Sequence, residues 1–169
     1  MHKVYLGIGG NIGNKQHNFE KVYQKIEIEL GKIIKASSIY ESQAWGFQSN
    51  DTFWNGVIEI STILSPENLL SGIHSIEKSF GRKRGSKQYS SREMDIDILY
   101  FDDIFIGTEN LTIPHPRISQ RKFVLVPLVE IAPKLNHPLL RLTNIQLLEN
   151  CTDESEVTKI KFVPKNYIQ

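Results

Sequence analysis

Cysteine is almost absent. Cys151 stands alone, so no disulfide can form within the chain and no cysteine-rich metal knot exists. A lone thiol fits a reducing compartment, and the expectation is a cytoplasmic protein. Long apolar runs are missing too. The longest, residues 123–129, falls far short of the ~20 residues a membrane span needs, and the apolar stretch behind Met1 is too short for the core of a signal peptide. Neither sign of charge dominates: 20 Lys and Arg against 19 Asp and Glu leave a net charge of +1. That argues against a whole-chain footprint for duplex nucleic acid. The phosphate-loop pattern GxxxxGK[ST] occurs nowhere, so any ATP must be held by another scaffold. There is no internal repeat and no low-complexity tract.

What is present suits one compact unit. The 169 residues, 40% of them hydrophobic, can build a single core. We expect one domain over 1–169, with 150–169 a polar, peripheral segment carrying an edge strand near 157–163. Residues 3–9 read as a short buried strand ending in glycines. Residues 15–30 carry Phe19, Val22, Tyr23, Ile26 and Leu30 at helical spacing, with Gly31 as the stop. Residues 33–42 and 53–62 are β-rich. Ser65-Pro66 opens a second helix, whose apolar face is Leu69, Leu70, Ile73, Ile76 and Phe80, and Gly81 closes it. Residues 93–101 form another strand. The order strand, helix, strand, strand, helix, strand predicts an α+β fold, a ferredoxin-like antiparallel sheet with helices packed on one face. A small hairpin is expected in 102–112 and a third short helix in 121–132, containing Pro127. Residues 43–52 and 81–92 lack element signals. Connections that long in a small domain are usually functional, and both are read as lids.

The sharpest local feature is Met94-Asp95-Ile96-Asp97-Ile98-Leu99. On a strand, side chains alternate, so Asp95 and Asp97 share one face with Cα atoms roughly 6.5–7 Å apart. Paired carboxylates of this kind suit Mg²⁺, whose shell is completed by phosphate oxygens and water. Arg82, Arg84 and Arg92 precede the pair, and Arg117 and Arg121 follow it. Guanidinium forks match phosphate oxygens. In Ile113-Pro114-His115-Pro116-Arg117 the prolines stiffen the loop that presents His115. The other histidines show no zinc-ligand spacing. Trp45, Phe53, Tyr89 and Phe123 are rings fit to stack on a flat heterocycle. Asn55 shares the strand face of Phe53 and can donate and accept at a pterin or purine edge. Trp54 reads as core. Read without reference to any family, these features reach a magnesium–phosphate enzyme and no further. Each also has a plainer reading: solvated acids, surface charge, a turn histidine and core aromatics.

Taken jointly, Gly81-Arg82-Lys83-Arg84, Ser91-Arg92-Glu93-Met94-Asp95-Ile96-Asp97, Leu111-Thr112-Ile113-Pro114-His115-Pro116-Arg117 and Arg121-Lys122-Phe123-Val124-Leu125 resemble the 6-hydroxymethyl-7,8-dihydropterin pyrophosphokinase family over about residues 3–160. Gly9-Gly10-Asn11 is similar to that family's opening turn. The resemblance implies transfer of diphosphate from ATP to the pterin hydroxymethyl group, with AMP as the other product, in folate biosynthesis. It implies a pair of Mg²⁺ ions on Asp95 and Asp97, and catalytic roles for Arg82, Arg92, Asp95 and Asp97. ATP would be held by His74, Glu77, Arg82, Arg84, Arg92, Ile98, Thr112, His115 and Arg121. The pterin would lie among Gly9, Ser42, Gln43, Trp45, Phe53, Asn55 and Phe123, its ring between Phe53 and Phe123. ATP and the pterin are the expected partners of a monomer, with no nucleic acid and no membrane. Gln43 and Ala44 stand where the family often has prolines, Tyr89-Ser90-Ser91 where many members have Trp-Gly-Pro, and Phe53 where Tyr is common.

Two rival readings stay open on the residues alone. A ferredoxin-like sheet can bind single-stranded RNA through exposed aromatics, although the expected aromatic motif is missing. The turn Gly7-Ile8-Gly9-Gly10-Asn11-Ile12-Gly13 also approaches a dinucleotide fingerprint. That fingerprint needs glycine where Ile12 stands, and a parallel βαβ unit.

Overall fold

The computed structural model describes residues 1–81, 94–162 and 164. A central antiparallel sheet runs in the order β5 (Asp95–Phe101), β1 (His2–Gly10), β4 (Phe53–Thr62), β3 (Tyr40–Ser42) and β8 (Val157–Lys159), and β2 (Lys32–Ala36) also pairs with β4. With α1 (Lys15–Glu29) and α2 (Pro66–Ser79) in the crossovers, this is the expected ferredoxin-like arrangement. Both neighbours of β1 run antiparallel to it, and β4 separates it from β2 at the end of α1, so the glycine turn does not open the adjacent parallel pair of a dinucleotide site and that reading falls.

Local chemistry sets the element ends. The Asn14 side chain caps α1 by accepting the His17 N–H at 3.0 Å. Ser65 accepts the Asn68 N–H, and Pro66 occupies the first turn of α2. Gly81 follows α2 at φ +82°, a left-handed conformation that favours glycine. The β-rich run 33–42 is two strands, not one. At Ser37 the side-chain oxygen accepts the Val57 N–H at 2.9 Å while the Ser37 N–H donates to the Val57 carbonyl at 2.9 Å. The hydroxyl thus stands in for a ladder carbonyl where the chain leaves the regular register.

Helices cover both faces of the sheet, where a single layer was expected. Val4, Leu6, Ile8, Ile58, Ile60, Ile96 and Ile98 pack with Phe19, Val22, Ile26, Leu69, Ile73 and Ile76 of α1 and α2. The alternate strand residues Tyr5 and Val57, with Leu99 and Tyr100, pack on α3 (Lys122–Ile131) and α4 (Asn144–Glu149). Near-continuous apolar runs such as Val57-Ile58 and Ile98-Leu99-Tyr100-Phe101 are the signature of two-sided burial. Leu99 has no partner on β1, because the pairing shifts there from Leu6–Ile98 to Tyr5–Tyr100. This bulge lets consecutive Leu99 and Tyr100 enter the same cluster.

The small hairpin forms from β6 (Ile106–Gly107) and β7 (Thr112–Ile113). Segment 150–162 supplies β8 at the sheet edge, and Phe162 packs on Trp54 with ring centres 5.6 Å apart. Among the described residues no helix is long and apolar enough to cross a membrane.

Candidate active site

The second helical layer covers only part of its face. Where it stops, a cavity of about 210 Å³ opens over β5, β1 and β4. Its floor follows from strand alternation. Asp95 and Asp97 on β5 pair with Gly9 and Gly7 on β1, and Gly9 and Gly7 pair in turn with Asn55 and Val57 on β4. Two residues without side chains therefore leave a trough between the acids and the amide. The approach at Gly9 is close: a Cβ there would come within 2.9 Å of Asn55 Oδ1. Ile96 and Ile98 point away into the α1/α2 core.

One end of the cavity is ionic. The Asp97 side chain is 35% exposed, with Arg121 Nη1 at 3.7 Å and His115 Nε2 at 3.8 Å from its Oδ2. His115 Nδ1 accepts the Arg117 N–H at 3.1 Å, so in the neutral ring the proton sits on Nε2, facing Asp97. Burial, reinforced by the Arg121 charge and opposed by Asp95, pushes the His115 pKa down to about 4. The close approach to Asp97 is thus the contact of a neutral N–H donor with a carboxylate, not an ion pair. Arg121 is buried, with its guanidinium carbon 4.8 Å from the Trp45 ring centre and 5.7 Å from that of Phe123. Desolvated cation–π contacts reach about 2 kcal/mol.

The other end is aromatic and polar. Asn55 Nδ2 donates to Ser42 Oγ at 3.0 Å, and both residues are buried. That bond orients the Asn55 amide. Phe47 meets Phe53 edge-on at 5.9 Å. Loop 43–52 is tied to the start of α1: Lys15 Nζ donates to the Thr52 carbonyl at 2.9 Å, and Asn11 Nδ2 donates to Ser49 Oγ.

Among the described residues no group of three or more His, Cys, Asp or Glu could enclose a metal. The Asp95–Asp97 pair is a hard-oxygen donor set open to the cavity. It fits Mg²⁺, which accepts few protein ligands when phosphate and water supply the rest. It does not suit a closed zinc site.

Residues 5–133 match the sequence profile of 7,8-dihydro-6-hydroxymethylpterin-pyrophosphokinase. The chain belongs to this family. It is 43% identical over 141 residues to the 2-amino-4-hydroxy-6-hydroxymethyldihydropteridine pyrophosphokinase of Aquifex aeolicus, a match covering 83% of this chain and 87% of that protein. It is 35% identical to the folic acid synthesis protein fol1 of Pneumocystis carinii over 96% of this chain and 22% of that much longer protein. The fold resembles a solved HPPK-DHPS in complex with substrates at a TM-score of 0.73 and 15% identity, covering 88% of this chain and 43% of the other. At that identity the likeness speaks to the fold alone.

Seen beside the family, the cavity gathers all seven residues expected around the pterin: Gly9, Ser42, Gln43, Trp45, Phe53, Asn55 and Phe123. With them it gathers Asp95, Asp97, His115 and Arg121. His74, Glu77, Ile98 and Thr112 do not line it. Glu77 is buried on α2, where its Oε1 accepts the Ile96 N–H at 2.9 Å. Ile98 sits in the core, and Thr112 is exposed on β7. Arg82, Arg84 and Arg92 lie outside the described residues. Gly7, Phe47 and Val57 line the cavity without having been singled out for it. The signal for Gly7 and Val57 was the two-residue period counted from Gly9 and Asn55.

Proposed function

We propose that this cavity is where the chain performs its family's reaction, with Asp95 and Asp97 holding Mg²⁺ and Asn55 reading the pterin. The chain is an ATP-dependent pyrophosphokinase of folate biosynthesis. The pterin hydroxymethyl oxygen attacks the β-phosphorus of ATP and gives up its proton to solvent, the bond from that phosphorus to the α–β bridging oxygen breaks, and AMP departs with that oxygen. The observation that carries the placement is that one sheet face presents, across two glycines, a carboxylate pair and a buried amide among aromatic rings.

The proposed roles follow from the contacts. When bound at the carboxylates, Mg²⁺ supplies alignment of the triphosphate and neutralisation of its charge, and its number in the working complex is taken as a pair. Phosphoryl transfer asks the protein chiefly for positioning and electrostatics, so no side chain is assigned as general base. His115, neutral at physiological pH, donates from Nε2 to a phosphate oxygen. Arg121 supplies fixed positive charge at the same end. Asn55, oriented by Ser42, pairs with the pterin edge, while Phe53 and Phe123 pack on its faces. Arg82, Arg84 and Arg92 complete the phosphate contacts. The Ile96 N–H leaves the open edge of β5 toward Glu77, and by the two-residue period Ile98 presents its backbone on the same edge. β7 with Thr112 contacts β5, and this supports an adenosine site along that edge, with His74 and Glu77 on the neighbouring helix. The reading includes a single-domain, monomeric, cytoplasmic enzyme.

The test is to incubate ATP and 6-hydroxymethyl-7,8-dihydropterin with the protein, with and without Mg²⁺, and to follow nucleotides by chromatography. AMP should form only when all components are present. ADP as the product, or AMP formation that ignores the pterin, would overturn the reading.

A further inference from the structure

Segment 150–162 lies outside the family-matched span, yet it is bonded to the helix that carries one wall of the cavity. α3 begins at Lys122, between Arg121 and Phe123. Helix starts leave N–H groups without intrahelical acceptors, and Arg121 in the cap position makes no side-chain cap. The Lys122 N–H donates instead to Asp153 Oδ2 at 3.0 Å, and Asp153 Oδ1 accepts the Ser155 N–H at 3.0 Å. Burial raises the Asp153 pKa, but the bonds from Ser155 and Lys122 more than reverse this and leave it below the usual carboxylate range. Negative charge is favoured at a helix start. At the far end of α3, Glu130 lies 3.5 Å from Nζ of exposed Lys159 on β8, so the same segment touches the helix at both ends.

We propose that residues 151–159 are a strap on α3 and that Asp153 is a positioning residue for the reaction: by fixing the Lys122 amide it sets where Arg121 and Phe123 stand in the cavity. This rests on the cavity being the pterin site. The tolerance there is small. The Arg121 guanidinium contacts two rings and stands 3.7 Å from Asp97, and a misplacement of about 1 Å in such a site can cost ~100-fold.

Two measurements test the strap, on Asp153→Ala, Asp153→Asn and the wild type. Hydrogen exchange at the Lys122 amide reads the strap without any ligand. It should speed up in Asp153→Ala and speed up less in Asp153→Asn, whose single amide oxygen can serve only one of the two N–H donors that the carboxylate accepts. Affinity for 6-hydroxymethylpterin, titrated by its own fluorescence with a nonhydrolysable ATP analogue and Mg²⁺, should weaken about tenfold in Asp153→Ala, less than the ~100-fold that a full ~1 Å misplacement can cost. Asp153→Asn, with one acceptor for the two donors, should fall between Asp153→Ala and the wild type. Glu156→Ala, on the strap but bonded only to Thr158 among the described residues, should change neither. If Asp153→Ala does not fold, Asp153→Glu, which overreaches the amide, replaces it with the same pattern expected. Unchanged Lys122 exchange, or faster exchange with wild-type pterin affinity, would overturn the strap. A wild type that binds no pterin would overturn the functional reading, while its Lys122 exchange would still report on the strap.

Discussion

The two faces of β5, β1 and β4 are made by alternate residues of the same three strands, and they have opposite fates. One parity, with Leu6, Ile8, Ile58, Ile60, Ile96 and Ile98, is sealed under α1 and α2. The other is covered by α3 and α4 at Tyr5 and Val57 but left open as the cavity at Gly7, Gly9, Asn55, Asp95 and Asp97. The difference is one of side-chain volume and solvation. Apolar branched side chains recruit a helical layer because covering them is favourable. Glycine, amide and carboxylate give a layer nothing to bury against, and dehydrating the acids would be costly. Stability and chemistry therefore separate by odd and even position along the stretch that lines the cavity.

The comparison can be broken at its strongest point by exchanging effects between faces. Asp97→Ala should lower turnover by more than the ~10–100-fold typical of losing even an outer-shell metal partner, with the melting temperature close to wild type. Turnover by AMP release and melting by circular dichroism check both halves. A fully active Asp97→Ala protein would remove the acid pair from the mechanism. On the sealed face, Ile58→Ala, fully buried, should cost about 2–5 kcal/mol in denaturant unfolding. Turnover per folded molecule should be retained, and a collapse of turnover in the folded fraction would blur the two faces.

A smaller effect sharpens the geometry of the trough. Gly9→Ala puts a methyl group within 2.9 Å of Asn55 Oδ1, so pterin affinity should fall about tenfold while nucleotide affinity holds. Paired titrations decide this, and equal losses for both ligands would place the obstruction elsewhere. The gentlest test is pH. His115 titrates near 4 when folded, below the ordinary 6.5. Between those values the unfolded chain binds more protons, so stability falls as pH drops from about 6.5 to about 4. Melting curves of the metal-free protein should show this slope, and His115→Gln should flatten it. An unchanged slope would mean that His115 is not held neutral.

Much of this was legible from the residues. Strand β4 falls at 53–62 as its pattern indicates, and the Asp95–Asp97 pairing follows from a two-residue period that needs no tertiary knowledge. The split of 33–42 was not legible, because a serine hydroxyl replacing a ladder carbonyl leaves no trace in hydropathy. The second helical layer could have been read from the unbroken apolar run 98–101, whose two-sided burial a one-layer sheet cannot satisfy. Helix α4 was missed although Thr143 and Gln146 form a capping box. Its six residues are too few for helical periodicity to show. At the site, the acids and Asn55 announced themselves by type and spacing. That Arg121 contacts the Trp45 and Phe123 rings, and that Asp153 reaches the Lys122 amide, depends on contacts between distant parts of the chain.

The most direct test of the account is a crystal structure of the complex with a nonhydrolysable ATP analogue, Mg²⁺ and the pterin. We expect cations at Asp95 and Asp97 touching the phosphates, and the pterin ring against Asn55 above Gly9. Carboxylates turned away from the phosphates with no cation beside them, or a pterin bound off this face of the sheet, would contradict it.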